Sequence, residues 1–258
     1  MPGTSKARNK KGVIITFTES DHRYTSIING KEINYISGTT FISKFFPKFD
    51  PTGEITKRYA FKHGLSVETV KQLWKEKADN SCIYGTKIHE CMEDRLSGQE
   101  LRNKPENDKE IKAMKNAEIL SHKIIERAKI EGIEKIVFDP ELQLAGSIDL
   151  LIKSKKDNKF WICDYKTNEK IVTENKYNKF GLYCIDHIPD VTAEHYYLQL
   201  NLYEYLLKKG EYIDKNEDIG KCLFHITENG VKTMIVPDRQ KEVKEMIKFY
   251  LENKTLFN

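Results

Sequence analysis

The sequence predicts an α/β protein: a central mixed β-sheet flanked by helices, preceded by a β-meander and a helical region. Three observations carry this expectation. Short alternating runs near the start surround the turn Asn29-Gly30, two apolar runs over residues 144–153 and 161–167 flank a lysine-rich turn, and amphipathic helical stretches stand on both sides of that pair. With 258 residues, 39% of them hydrophobic, the chain can bury a large core.

Residues 13–17, 23–28 and 31–35 read as the meander, because Asn-Gly suits the left-handed backbone of a two-residue hairpin turn. Residues 39–46 read as a short helix stopped by Pro47. Ser66 can cap a helix on which Val67, Val70, Leu73 and Trp74 share a face. Ile88, Met92 and Leu96 mark the apolar side of a helix that also carries Gly85, His89 and Glu93 on the neighbouring stripe. A long helix is expected over 106–131, from the spacing of Ile111, Met114, Ala117, Leu120, Ile124 and Ala128, followed by a first central strand over 135–138. Asn158 and nearby lysines turn strand 144–153 into strand 161–167 as an antiparallel hairpin. A very apolar helix over 195–208, strands 221–227 and 231–236 around Glu228-Asn229-Gly230, and a helix over 239–253 close the chain. The organisation expected is a flexible basic tail over 1–12, a meander and helices over 13–80 packed on the core, and that core over 81–258.

The chemistry lies in Gly146-Ser147-Ile148-Asp149 and Trp161-Ile162-Cys163-Asp164-Tyr165-Lys166-Thr167. Side chains alternate along a strand, so Asp164 and Lys166 point to one side and Tyr165 to the other. The hairpin can set Asp149 beside Asp164, and two adjacent carboxylates repel unless a positive group lies between them. A hard divalent cation is the common answer, since Mg²⁺ takes oxygen ligands and is usually held by one or two carboxylates. The Lys166 ammonium could then orient water, neutralise charge developing on phosphorus or, with a lowered pKa, help take a proton. In a chain that is 32% charged, an isolated Asp-x-Lys is more often a solvated strand pair. Two helical segments add weight. His89 and Glu93, one turn apart, could both face a metal, with Gly85 allowing close approach, whereas Glu90 lies about 100° around the helix. Gln199 and Tyr203 share a face of the apolar helix, and their polar groups need partners if buried.

Together, Gly85 to His89, Asp149, Asp164 to Lys166 and Gln199 to Tyr203 resemble, in order, the motifs of the RecB-like branch of the PD-(D/E)XK nuclease superfamily, including its phage and viral exonucleases. The resemblance covers roughly residues 81–209. Ser37-Gly38-Thr39-Thr40 is similar, more loosely, to the helix start of phage and viral proteins of that branch. What the resemblance implies is a restriction-endonuclease-like core and a metal-dependent DNA nuclease, expected as an exonuclease acting in recombination, repair or replication. It implies His89, Asp149, Asp164 and the Tyr165 carbonyl as ligands of Mg²⁺ or Mn²⁺, with Asp149, Asp164 and Lys166 catalytic. Gln199 and Tyr203 would bind substrate, and Glu93 is a candidate accessory residue. Ser147-Ile148-Asp149 lacks the proline of the family name, and about twenty-five residues separate Thr167 from the Gln-Tyr helix. The alternatives are a structure-selective endonuclease and an inactive nucleic-acid-binding module on the same fold.

Composition sets outer bounds. The first dozen residues are polar and no apolar run approaches a membrane span, so an intracellular protein is expected, cytoplasmic or nuclear, without a membrane partner. Cys82, Cys91, Cys163, Cys184 and Cys222 have neither disulfide-framework nor Cys-x-x-Cys spacing, and no iron-sulfur cluster is predicted. The net charge of +4 is matched by Lys6, Arg8, Lys10 and Lys11, leaving a balanced body. Residues 153–179 hold eight lysines against four acids around the candidate site, enough to offer phosphates a salt-sensitive attraction. No Gly-x-x-x-x-Gly-Lys-Ser/Thr loop is present.

Overall fold

The computed structural model describes residues 3–257, and the chain opens with four antiparallel strands: β1 (Thr4–Arg8), β2 (Ile14–Thr18), β3 (Arg23–Ile28) and β4 (Lys31–Ser37). Asn29 and Gly30, at φ 51° and 75°, turn β3 into β4 in the left-handed conformation their sequence favours. The expectation of a flexible tail over 1–12 is corrected at β1, which pairs with β2 from Thr4↔Thr18 to Arg8↔Ile14. Its side chains are almost all exposed, so backbone hydrogen bonds hold it and no hydrophobic alternation announces it.

β4 then runs parallel to the start of β6 (Leu144–Ser154), pairing Ile36↔Leu144 and Ser37↔Ala145, so the meander is continuous with the central sheet. β5 (Ala128–Asp139) lines the other edge of β6 along its length. β7 (Phe160–Lys166) pairs antiparallel with β6 and parallel with β8 (Ile219–Thr227), and β9 (Gly230–Ile235) closes the edge antiparallel to β8. The result is one mixed sheet, as expected.

Helices cover both faces, which is why the central strands are apolar on both sides. On one face α1 (Gly38–Ser43), α5 (Thr192–Lys209) and α6 (Gln240–Glu252) bury Phe41, Leu198, Leu202 and Met246 against Leu151, Ile162 and Leu223. On the other, α3 (Val67–Ser97) and α4 (Asp108–Arg127) bury Ile88, Met92, Ala117 and Leu120 against Leu150, Cys163 and Phe224.

Helix boundaries differ from expectation, beginning with α1, which ends at Ser43 instead of 46. The helix capped by Ser66 and the helix carrying His89 are one element, α3, which runs 31 residues before Gly98 ends it in the left-handed conformation. α2 (Glu54–His63) has no regular apolar stripe; it buries only Thr56 and Ala60. α4 stops at Arg127 instead of 131, because β6 is long enough to draw Ala128, Lys129 and Ile130 into its ladder opposite Ser154, Lys153 and Ile152. Among the described residues, no helix is long and apolar enough to cross a membrane.

Candidate active site

The site lies where β6 and β7 part. They pair from Lys153↔Phe160 to Leu150↔Cys163; one step further Asp149 would stand opposite Asp164, and there the ladder ends. The Asp149 carboxylate takes over: its Oδ2 accepts the backbone N–H of Tyr165 at 2.8 Å. A side chain thus replaces the missing strand partner and props the fork open. β4, paired to the first residues of β6, leads at Ser37 into α1, whose first residue is Gly38.

Two further elements reach Asp149. From α3, His89 places Nδ1 3.5 Å from Asp149 Oδ2 and Nε2 3.0 Å from the Tyr165 carbonyl oxygen. A carbonyl only accepts, so Nε2–H donates to it, and Nδ1 faces the Asp149 carboxylate. A cation between them would complete that arrangement. From β5 comes Glu134, which sequence reasoning missed. It falls opposite Asp149, between the pairs Ile133↔Leu150 and Lys135↔Ile148, and its Oε2 accepts the Ser147 hydroxyl at 2.9 Å. Its φ of 45° is unusual for a glutamate inside a strand. Strict alternation breaks here too: Ile148 and Leu151 join one core, Leu150 and Ile152 the other. Glu134 is an exposed residue overall, yet its carboxyl is pushed up to about 8, first by lost hydration and then by the Asp149 charge. A glutamate beside the strand bearing Asp149 was visible in the sequence, but only the register brings it into the site.

Asp164 is 3% exposed. Burial raises its carboxyl to about 6 and Asp149 adds to the rise, against the pull of the Lys166 ammonium. Lys166 Nζ lies 2.6 Å from Asp164 Oδ2, a buried ion pair on one strand. Burial lowers the Lys166 pKa, but the charges of Asp164 and Asp149 outweigh it and the net shift is upward. Lys166 is therefore an ammonium at neutral pH, and a proton-taking role would need that shift reversed. The ring of Tyr196 on α5 lies 4.4 Å from Nζ and holds it from the other side. Tyr196 in turn donates to Asn168 Oδ1 at 2.9 Å, pinning the start of the segment between β7 and α5.

Gln199 and Tyr203 are both buried, and the Gln199 amide donates to the Tyr203 hydroxyl at 3.0 Å. The Tyr203 ring is wedged against Gly38 and Gly146: a Cβ would lie 2.7 Å from its Cε1 at Gly38 and 2.3 Å at Gly146. These glycines are therefore required by a ring that holds the head of β6 against α1. The sequence motif containing Gly38 thus abuts the site. Glu93 does not join the His89 and Asp149 group; its carboxylate pairs with Arg102, which also binds the buried Asp94. The chain after α3 brings back this arginine, a partner invisible in helical spacing. Gly85 brings α3 close to Thr167, whose Oγ1 would lie 3.2 Å from a Cβ there.

Among the described residues, the candidate metal-holding group of histidine and acidic side chains is His89, Glu134 and Asp149, with ligand atoms all within 4.8 Å of one another. One imidazole and two carboxylates, with the Tyr165 carbonyl beside His89, make a donor set suited to a hard divalent cation, and the Asp164 carboxylate, paired with Lys166, lies outside that group. The fold and the site define an α/β protein whose acidic centre fits a divalent metal at a strand fork. The chain belongs to the PD-(D/E)XK nuclease superfamily, whose family model matches residues 117–255, more than half its length. Members of this superfamily are usually metal-dependent nucleases. The match spans Glu134, Asp149, Asp164, Lys166, Gln199 and Tyr203 and begins after His89. No curated protein matches the chain.

Proposed function

We propose that the protein is a Mg²⁺- or Mn²⁺-dependent deoxyribonuclease acting as an exonuclease in recombination, repair or replication. The observation that carries this reading is the fork itself, where Asp149 faces His89, Glu134 and the Tyr165 backbone while Asp164 and Lys166 form a buried ion pair on the adjoining strand. His89, Asp149, Asp164 and the Tyr165 carbonyl would hold the metal, joined by Glu134. When bound, a divalent cation supplies Lewis acidity at the phosphate and lowers the pKa of water.

The chain's own residues do the rest. Asp149 fixes the Tyr165 peptide, so the carbonyl and the flanking Asp164 and Lys166 keep a defined orientation. Lys166 brings a fixed positive charge to where negative charge develops on phosphorus. Tyr203, clamped by Gly38 and Gly146 and bonded to Gln199, braces the strand carrying Asp149. The exonuclease choice rests on the frequency of exonucleases in the branch the motifs resemble, not on any residue. The test is cleavage of end-labelled linear and closed circular DNA, single- and double-stranded, with Mg²⁺, Mn²⁺ or chelator, alongside Lys166→Ala. Metal-dependent loss of linear substrate alone, absent in the variant, supports an exonuclease; loss of circles indicates an endonuclease. Binding without cleavage in either metal leaves a nucleic-acid-binding module.

A further inference from the structure

We propose that α2 and the first half of α3 form an arm that holds a single-stranded stretch of the nucleic-acid substrate, stacking bases on Phe49 and Trp74 and neutralising phosphates with Lys71 and Lys75. This rests on the nuclease reading and adds the form of substrate it takes.

The arm is unusual in how little it buries. Over residues 72–83 every residue is exposed except the half-buried Trp74, so these turns of α3 have no core to pack against. A helical stretch that is exposed all round draws no stability from tertiary packing. The same region concentrates exposed apolar surface: Phe49 is 58% exposed and Phe61 91%. Trp74 is flanked by Phe49 and Tyr59, with ring centroids 5.8 and 5.4 Å away. Beside it, Phe49, Pro51, Lys71, Gln72, Trp74 and Lys75 line a shallow apolar hollow of about 490 Å³.

Charge selects the occupant. Residues 44–77 carry eight basic and four acidic side chains, whereas the whole 258-residue chain has a net charge of only +4. Lys57, Arg58 and Lys77 have acidic neighbours, but among the described residues Lys71 and Lys75 form no ion pair. An aromatic floor rimmed by free ammonium groups matches a strand that alternates flat bases with phosphates. A duplex hides its base faces in the stack and could use only the lysines.

Position joins the arm to the chemistry. A groove of about 1070 Å³ runs from Leu73 and Lys77 on α3 to Thr167 and Lys170 beyond β7. Leu73 adjoins Trp74 and Thr167 adjoins Lys166 along the chain, so the groove lies between the segments that carry the hollow and the site. The exposed pair Lys77–Glu169 crosses it at 3.5 Å and can open to a phosphate. Fifteen residues of α3 separate Trp74 from His89, about 22 Å, a distance for several nucleotides to span.

The test measures binding of labelled oligonucleotides of about 20 nucleotides, single-stranded or as a blunt duplex, in chelator at fixed salt. Phe49→Ala, alone and combined with Trp74→Ala, is compared with Lys71→Ala combined with Lys75→Ala, each checked for native circular dichroism. The aromatic variants should lose about five-fold or more in single-strand affinity and little in duplex affinity. The lysine pair should flatten the salt dependence by about 1.4 in the log–log slope. In Mg²⁺, KM for the single strand should rise with kcat retained. Single-strand affinity and salt slope unchanged in all variants would overturn the proposal and leave the arm as a protein-docking surface. Equal losses for strand and duplex would also overturn it. Wild-type protein that cleaves nothing in either metal defeats the nuclease reading instead, and the chelator binding result is read independently of it.

Discussion

Asp164 is where burial and charge oppose each other most directly. Its carboxyl, raised from 3.8 to about 6, binds a proton more readily in the folded metal-free protein than in the unfolded chain. The folded state therefore holds the extra proton between those values, and the contribution of Asp164 to stability falls as pH rises from about 4 through 6. Asp164→Asn removes this dependence and also leaves Lys166 without its partner, a roughly constant offset. Denaturation of both proteins in chelator should thus show their difference moving toward the variant by on the order of 2–3 kcal/mol across that window. A difference that stays flat with pH would refute the assigned shift. Glu134 carries a separate expectation: Glu134→Gln should weaken Mn²⁺ binding by about tenfold or more in calorimetric titration while the fold is kept. Asp149, Asp164 and Lys166 were legible at this scale because they stand in two short strand motifs. Glu134 was not, since nothing in Gly132-Ile133-Glu134-Lys135 distinguishes it from a solvated strand residue.

Among the elements, β6 and α5 are locked by one aromatic ring. Gly146→Ala would drive a methyl group into Tyr203, and overpacking of this kind costs about 1–3 kcal/mol. Chemical denaturation should read that loss, and activity per folded molecule should drop as the head of β6 shifts. Tyr203→Phe keeps the wedge and removes only the bond from Gln199, so turnover should stay close to wild type. A large kcat loss in Tyr203→Phe would instead assign the hydroxyl a direct part in the chemistry. The strands and helices around the site were readable because their apolar residues repeat at 2 or 3.6. Where pairing rather than packing decides, that signal fails: β1 offers the core little beyond Ala7 and is held chiefly by its ladder with β2, and Ala128 to Ile130 leave the helical pattern for the ladder with β6.

At the scale of the molecule, metal and stability are coupled. His89, Glu134 and Asp149 come from α3, β5 and β6, so a cation held among them ties three elements together. Mn²⁺ at about a hundred times its dissociation constant should stabilise the wild type by about 2.7 kcal/mol. The matching rise in Tm should vanish in Asp149→Ala, which loses the carboxylate at the centre of the group. An equal rise in that variant would place metal binding elsewhere. The sequence by itself determined the α/β class, the hairpin bearing Asp149, Asp164 and Lys166, and the helices bearing His89 and Tyr203, because local periodicity and short spacing encode them. Only the tertiary structure decided that β4 joins the central sheet, that Arg102 occupies Glu93, that Glu134 enters the site and that the arm stands clear of the core. Each of these depends on strand register or on residues distant along the chain meeting in space, which no local pattern records.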